Sequence, residues 1–325
     1  MLPFKLVYHD DFDLHLGDHV FPSLKYRLIR EMLLESGFAT PEDFVAPEPA
    51  ADEDLLLVHT PEWIRRLRTG TLSYEEVLRL EIPYSADMVR AFWLMAGGTT
   101  LAARLATAAG ASYCVGGGFH HAFADHGEGF CAINDIAVAI RCLQRDRVIR
   151  RAMVLDCDVH QGNGTAAVFA GDPSVFTVSL HQTNIYPSVK PPSDIDVHLA
   201  DGTGDQEYMD RMNAALHRAI DALHPDLMIY VAGADPYEHD QLGGLRLSIE
   251  GLKRRDRLVF QTARHLHVPV AVVLAGGYAL RVGETVQIHC NTARVAAEVF
   301  GRTGDQKAEG GAPDAASASR LSSNR

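Results

Sequence analysis

Residues 152–165 read AMVLDCDVHQGNGT and combine an apolar run with a polar, glycine-rich end. The stretch opens with an apolar run, as expected of a strand that is buried on both faces of a sheet. Asp156, Asp158 and His160 follow at alternate positions, and alternate residues of an extended chain share one face. Gly162–Thr165 then combines turn-forming glycines with Asn and Thr, which favour helix N-termini. The stretch therefore predicts a buried strand whose carboxyl end carries a polar site.

The same alternation of short apolar runs and longer amphipathic stretches continues along the chain. The other strand-like runs are Lys5–Tyr8, Ser112–Val115, Val175–Leu180, Leu227–Ala232 and Val268–Leu274. The helix-like stretches are Ser23–Ser36, Pro61–Arg68, Met88–Ala108, Ile133–Gln144, Tyr208–Leu223, Ile249–His267 and Arg281–Phe300. This order is typical of βαβ units, so we predict a single α/β domain with a helix-covered parallel sheet.

The C-terminal segment differs from the rest in composition. Residues 304–325 contain one Leu and no aromatic residue, so they cannot bury enough apolar surface to offset the entropy lost on ordering. We therefore expect one domain over residues 1–303 and a disordered tail over residues 304–325.

Polar residues collect directly after four of the predicted strands. They are Gly116–Gly118 with His120 and His121, the Asp156–His160 run, Asp235, and Tyr278. Ligands of open α/β sheets bind outside the carboxyl ends of the strands. The pattern therefore predicts one site that is assembled from four separate segments.

Asp158, His160 and Asp235 are candidate ligands of a metal ion. Carboxylate oxygen and imidazole nitrogen suit an ion of borderline hardness such as Zn²⁺ or Fe²⁺, and a catalytic zinc keeps three protein ligands and one open position. Taken singly, each residue has an ordinary alternative: Asp158 and His160 as a polar strand end, and Asp235 as a turn former before Pro236.

His120, His121 and Tyr278 are candidates for proton transfer and charge stabilisation. Two imidazoles in a glycine-rich loop can face one cleft and divide proton abstraction from proton donation. A phenol at a strand end can donate a hydrogen bond to a developing oxyanion. A polar loop without a catalytic task, and a tyrosine with its hydroxyl at the surface, are the alternatives.

Composition narrows the possible partners and the compartment. The net charge of −12 over 325 residues is unlike the basic surface expected of a nucleic-acid-binding protein. No apolar run approaches the ~18 residues that a membrane helix needs. The five cysteines form no CxxC or other framework spacing, so we expect reduced thiols in a cytoplasmic protein. The N-terminus carries acidic residues where a signal peptide would be apolar.

Together these residues resemble the zinc-dependent histone deacetylase family of the arginase-like α/β fold. Six motifs run in the family's order: GGGFHHA at 116–122, GFCxxND at 129–135, DxDxHxGNGT at 156–165, SLH at 179–181, AGADP at 232–236 and GGY at 276–278. The compact length and the segment HVFPSLKYR at 19–27 are most similar to class IV and related bacterial members. The resemblance implies a three-layer αβα domain with a parallel sheet of about eight strands.

The resemblance also implies a metal centre and a proton-transfer pair. Asp158, His160 and Asp235 are the expected ligands of Zn²⁺, with Fe²⁺ as the alternative. His121 is the expected general base, and His120 is its electrostatic partner.

Further roles are implied for the neighbours of these groups. Asp156 is expected to contact His120, and Asn163 is expected to contact His121, since such partners fix the tautomer and orientation of an imidazole. Tyr278 is expected to polarise the carbonyl of the substrate.

A substrate tunnel and a second cation complete the expected site. The tunnel walls are expected to be Gly129, Phe130 and Tyr186, above a floor shaped by Gly116–Gly118. A structural potassium ion is expected beside Asp156, Asp158, His160, Ser179 and Leu180.

The expected reaction is hydrolysis of the acyl-amide of acyl-lysine side chains in proteins. Small acylated amines such as acetylpolyamines, and lysines with long acyl chains, stay open as alternative substrates. A non-catalytic acyl-lysine reader and an arginase-like enzyme with two metals are the other classes considered. The sequence departs from the family pattern at two places. Ala275 stands where many members have Gly, which bears on the loop before Tyr278. Ile82–Ser85 has no counterpart of the Asp with which many class I members grip the substrate backbone, which bears on the substrate.

Overall fold

A computed structural model describes residues 1–301 of the chain. Within them, one sheet of eight parallel strands runs in the order β2-β1-β3-β8-β7-β4-β5-β6. The strands are β1 Leu6–Val7, β2 Phe44–Val45, β3 Ala111–Cys114, β4 Ala152–Asp156, β5 Val175–Gln182, β6 Ile195–Leu199, β7 Leu227–Val231 and β8 Val270–Val273. The prediction of a parallel sheet of about eight strands is confirmed. The expected tail at 304–325 lies outside the described residues.

Helices surround this sheet. They are α1 Lys25–Glu35, α2 Asp52–Leu55, α3 Pro61–Thr69, α4 Tyr74–Leu80, α5 Ala86–Ala109, α6 Asp135–Arg145, α7 Asn163–Val168, α8 Asp205–Ala222, α9 Ile249–His265 and α10 Val282–Phe300. They pack in two groups, α5 with α6 and α3, and α9 with α8 and α10, with α1 against α10. Each of the seven predicted helical stretches overlaps one of these helices, with ends that differ by a few residues at most.

Local chemistry defines the ends of the long helices. The side chain of Ser85 accepts a hydrogen bond from the backbone N–H of Met88 and so caps the start of α5. Gly110 ends α5 at a φ of 90°, which is a conformation that glycine adopts without strain. Ser248 caps α9 in the same way, through the N–H of Gly251.

Two edge strands were missed by the sequence patterns. β2 consists of Phe44 and Val45 alone, which is too short for any periodicity. β6, IDVHL, alternates buried and more exposed residues, as expected of an outer strand. Continuous apolar runs indicate strands that are buried on both faces, and edge strands of this kind do not have them.

The strand order decides where the site lies. β3, β8, β7 and β4 are neighbours in the middle of the sheet, and they are the four strands that the polar segments follow. Since all strands are parallel, their carboxyl ends meet at one edge. The prediction of a single site from four segments therefore follows directly from this topology.

The sequence also predicts that the chain has no membrane-spanning helix and that its cysteines are reduced. None of the helices within residues 1–301 is long and apolar enough to cross a membrane. All five cysteines are buried and free, as predicted.

Candidate metal centre and active site

Asp158, His160 and Asp235 converge at the carboxyl edge of the sheet. Potential ligand atoms of the three residues lie within 4.8 Å of one another. His160 Nδ1 is 3.1 Å from Asp158 Oδ1 and 3.4 Å from Asp235 Oδ2. All three side chains are buried. The structure therefore brings together the three residues that the sequence singled out as ligands.

The loop after β4 turns rather than continuing in extended form. β4 ends at Asp156, and the backbone N–H of His160 donates a hydrogen bond to Asp158 Oδ1. The expectation of one extended face through His160 was therefore wrong beyond Asp156. The turn, not strand periodicity, directs Asp158 and His160 to the same point.

The donor set fits a divalent cation. Asp235 Oδ2 is buried without a hydrogen-bond partner within residues 1–301. Burial, followed by the negative charge of Asp158, raises the pKa of Asp235 to about 7. Two buried carboxylates facing one another are costly without a compensating cation. Two oxygens and one imidazole nitrogen are ligand types that Zn²⁺ accepts, with Fe²⁺ as the alternative.

His120 and His121 lie side by side next to this cluster, with ring centroids 4.1 Å apart. His120 Nδ1 is 2.6 Å from Asp156 Oδ2, and His121 Nδ1 is 2.6 Å from Asn163 Oδ1. These contacts are the pairings that the family resemblance implied. Each imidazole is therefore held by its own partner, one charged and one neutral.

The two partners separate the pKa values of the histidines. Burial opposes the charge on His120, but the carboxylates of Asp156 and Asp158 outweigh it and raise its pKa to about 9. Burial and the neighbouring charges of His120 and His160 hold the pKa of His121 well below its usual value. In the protein alone, His120 is thus charged and His121 neutral near pH 7, a division that suits an electrostatic partner and a base.

Asn163 does not cap a helix, contrary to the sequence expectation. It is the first residue of α7, and the preceding Gly162 makes no side-chain cap. Its amide instead contacts His121 through Oδ1 and Glu128 through Nδ2. Thr165 does not cap α7 either, since its hydroxyl accepts a hydrogen bond from Asn134 Nδ2.

Tyr278 faces the histidine and carboxylate cluster from the loop after β8. Its backbone N–H donates to Asp240 Oδ2, and its ring lies 6.4 Å from the ring of His160. Burial, followed by the negative charges of Asp158 and Asp235, raises the pKa of Tyr278 well above its usual value. The phenol therefore stays protonated at neutral pH and available as a donor.

A cavity of about 210 Å³ opens onto these groups. It is lined by Glu81, His121, Gly129, Phe130, His160, Ile185, Tyr186, Leu242 and Tyr278. The three residues predicted as tunnel walls are all in this lining. The cavity joins an apolar approach to the polar cluster at its end.

Several residues in contact with the site were missed, among them Lys25 and Glu128. Lys25 is fully buried, and its Nζ donates a hydrogen bond of 2.7 Å to the backbone oxygen of Ala275. Burial lowers the pKa of Lys25 to about 8. Glu128 contacts Asn163 and Tyr186. A lysine inside the quoted HVFPSLKYR segment and a glutamate between Gly127 and Gly129 were the available signals.

Three of the five predicted monovalent-cation residues lie together at the β4–β5 pair. Asp156 stands opposite Ser179 in the sheet register, and Leu180 is the next residue of β5. Ser179 Oγ is hydrogen-bonded to His181 Nδ1. Potassium binding by this group stays a prediction.

A second metal ion would need a further ligand, and Asp156, next to the ligand run, is the obvious carboxylate for it. The contacts of Asp156 argue against that use. Its Oδ2 is paired with His120, and its Oδ1 accepts the backbone N–H of Asp158. Both oxygens are therefore engaged, which favours a site for one metal ion over the dinuclear alternative.

A Gly276→Ala substitution is expected to disturb the ligand carboxylates. A Cβ at this position would clash with Oδ2 of Asp235 and of Asp158, while the Gly276 N–H already donates to Asp158 Oδ2. Displacing supports of metal ligands costs roughly 10–100-fold in metal affinity or activity. Metal titration should show this loss. The matched control is Gly283→Ala, because a Cβ at Gly283 would have no atom within 4 Å. Equal metal affinity of the two variants would contradict the close packing of Gly276 against the ligand carboxylates.

Comparisons with known proteins point to the family that the sequence motifs resemble. The family model of the histone deacetylase domain matches residues 19–293. An uncharacterized protein of Picosynechococcus sp. is 39% identical over 298 residues, covering 91% of this chain and 99% of that protein. Histone deacetylase 2 of Arabidopsis thaliana is 32% identical over 287 residues, covering 84% of this chain and 74% of that protein.

The fold itself is also found among solved structures. The match to the crystal structure of an HDAC homolog from Aquifex aeolicus covers 90% of this chain and 83% of that chain. The TM-score is 0.76, and the sequence identity is 24%. At that identity the likeness concerns the fold alone. The family model and the relatives carry the assignment further: this chain belongs to the histone deacetylase family of amide hydrolases.

Proposed function

We propose that this protein is a zinc-dependent deacetylase that hydrolyses the acyl-amide of acylated lysine side chains. One observation carries the proposal: a three-residue metal-ligand cluster, a histidine pair with separate partners and a protonated tyrosine meet at one cavity, which His160, His121 and Tyr278 line. A protein that only bound acyl-lysine would need neither a base nor an oxyanion donor.

In this proposal Asp158, His160 and Asp235 hold the zinc ion. When bound, the ion would supply Lewis-acid chemistry, which polarises a carbonyl and lowers the pKa of water. The structural potassium ion is proposed for the oxygens around Asp156 and Ser179.

The proposed proton transfers use the histidine pair. Neutral His121 accepts a proton at Nε2 from the attacking water. Charged His120, held by Asp156, stabilises negative charge that develops beside it. A protonated histidine of this pair then supplies the proton that the leaving amine needs.

Tyr278 acts on the oxygen of the reacting carbonyl. Its hydroxyl donates a hydrogen bond to the oxygen as negative charge develops there. Phe130 and Tyr186 orient the aliphatic part of the acyl-lysine and exclude water along the cavity.

Turnover of three substrates tests the substrate class: an acetyl-lysine peptide, N-acetylputrescine and a peptide with a long-chain acyl-lysine. We expect the acetyl-lysine peptide to give the highest kcat/KM, to lose turnover with a chelator and to regain it with Zn²⁺. Preference for acetylputrescine would favour the small-amine alternative, and preference for the long chain would favour the deacylase alternative. Turnover that a chelator leaves unchanged would contradict the metal-dependent mechanism.

A further inference from the structure

Glu128 links the rim of the cavity to the histidine pair. Its Oε1 accepts a hydrogen bond of 2.5 Å from Asn163 Nδ2 and one of 2.8 Å from the hydroxyl of Tyr186. Its Oε2 lies 3.7 Å from His126 Nε2. The glutamate therefore contacts the side chain that is hydrogen-bonded to His121 Nδ1.

The orientation of the Asn163 amide decides which nitrogen of His121 carries the proton. An amide has an acceptor oxygen and a donor nitrogen at nearly equivalent positions. With Nδ2 toward Glu128, Oδ1 faces His121 Nδ1 at 2.6 Å. An oxygen accepts only, so neutral His121 must donate from Nδ1, and its Nε2 lone pair is left free.

The reversed amide would remove the base. With Nδ2 facing the imidazole, His121 Nδ1 would have to accept, and the proton would move to Nε2. A histidine protonated at Nε2 has no lone pair there for the attacking water. The same side-chain position therefore supports either a competent or an incompetent tautomer.

Glu128 opposes the reversed orientation. A reversed amide would place Asn163 Oδ1 against the Glu128 carboxylate. Both groups accept hydrogen bonds and neither donates one, so the contact would be unfavourable. In the observed orientation the bond is charge-assisted, which makes it stronger than a neutral one. Burial favours the neutral form of Glu128, but the nearby imidazole of His126 and the hydrogen bonds from Asn163 and Tyr186 outweigh it and lower its pKa.

We propose that Glu128 is a positioning residue: its carboxylate fixes the amide of Asn163 and thereby keeps the proton of neutral His121 on Nδ1. This inference rests on the proposed function, in which His121 is the general base. It assigns Glu128 a task besides holding the hydroxyl of Tyr186 at the rim.

Two substitutions of Glu128 test whether an acceptor-only group is needed. Glu128→Ala removes the acceptor and is expected to lower kcat by roughly 10–100-fold, as for other residues that orient a histidine. Glu128→Gln keeps an oxygen that accepts from Asn163 Nδ2 but adds an NH2 that can donate to a reversed Asn163 Oδ1, so its kcat should lie between those of the wild type and Glu128→Ala. Wild-type kcat in both variants would contradict the positioning role.

A double-mutant cycle with Asn163→Asp distinguishes positioning from a merely structural role. A carboxylate has two acceptor oxygens, so His121 Nδ1 meets an acceptor whichever way the side chain lies. In the Asn163→Asp background, Glu128→Ala should cost no activity and should relieve repulsion between two carboxylates. An equal loss in both backgrounds would assign Glu128 to the cavity wall alone and overturn the proposal.

The tautomer can also be observed without turnover. ¹⁵N spectra of the zinc-loaded, histidine-labelled protein distinguish Nδ1–H from Nε2–H, and the signal that disappears in His121→Ala identifies the residue. We expect Nδ1–H in the wild type and a shift toward Nε2–H in Glu128→Ala. Nε2–H in the wild type, or an unchanged tautomer in Glu128→Ala, would overturn the proposal. Because this readout needs no substrate, its failure is separate from a failure of the proposed deacetylase activity.

Discussion

A Tyr278→Phe variant is expected to bind the metal like the wild type and to lose about 2.7–4 kcal/mol of transition-state stabilisation, a fall in kcat of roughly 10²–10³-fold. The hydroxyl makes no hydrogen bond to any of the described residues 1–301, so it is free to donate into the cavity. Its pKa, raised by burial and by Asp158 and Asp235, keeps it protonated. The ring contacts with Phe21 and Phe130 do not involve the hydroxyl and should persist.

The measurement is kcat and KM on the acetyl-lysine peptide, with metal content determined on the same samples. Because an oxyanion donor acts mainly in the transition state, kcat should fall much more than KM rises. Tyr84→Phe is the matched control, since the Tyr84 hydroxyl donates to Leu67 O outside the cavity. Full turnover by Tyr278→Phe would remove Tyr278 from the mechanism.

Replacing Arg255 with Met is expected to destabilise the fold by about 3–5 kcal/mol, the usual cost of breaking a buried ion pair. Arg255 and Asp256 are both buried, and Arg255 Nε donates to Asp256 Oδ1 at 3.0 Å. Arg255 Nη1 also donates to the backbone oxygens of Gly233 and Cys157. Gly233 lies just before Asp235 in the chain, and Cys157 lies just before Asp158. The variant should therefore bind metal more weakly as well.

Urea unfolding of the metal-free proteins measures the first effect without a contribution from metal binding. Arg254→Met is the matched control: Arg254 contacts Asp205 at the surface, and such exposed pairs contribute about 0–1 kcal/mol. If both variants unfold at the same urea concentration, the buried pair does not support the loops as described.

The central strands and the candidate ligands were predictable because burial and chemistry both leave clear patterns. β7 and β8 carry no charged residue, and β4 is apolar up to its last residue, Asp156. The ligands follow β4 and β7. Parallel strands place their carboxyl ends at one edge. The convergence of Asp158 and Asp235 therefore follows once β4 and β7 are neighbours, as they are in the structure.

The short-range geometry of the site was less predictable. The sequence shows Asn163 beside turn glycines, which favours a helix cap. In the structure, its side chain is engaged by His121 and Glu128, residues 42 and 35 positions away in sequence. A local preference of about 1 kcal/mol for capping is outweighed by two buried hydrogen bonds of the site, one of them to a carboxylate.

Lys25 shows a second kind of limit. Lysine is rarely fully buried unless it is paired, so nothing in the sequence places it behind the site. In the structure, Ala275 O accepts its hydrogen bond at 2.7 Å, and the ring of Phe21 lies 5.0 Å from its Nζ. Ala275 itself has a φ of 51° at a position where glycine is the easier residue. The departure from glycine was visible in the sequence, but its buried partner was not.

Binding of one divalent metal ion by Asp158, His160 and Asp235 underlies the proposed reaction. Metal analysis of the purified wild type and of Asp235→Asn, after dialysis against Zn²⁺ and removal of excess metal, tests this binding. We expect close to one equivalent of zinc per wild-type chain and a large loss of zinc in the variant, with turnover following metal content. Two equivalents per wild-type chain, or retention of a full equivalent by Asp235→Asn, would show that these three residues do not form a single-metal site.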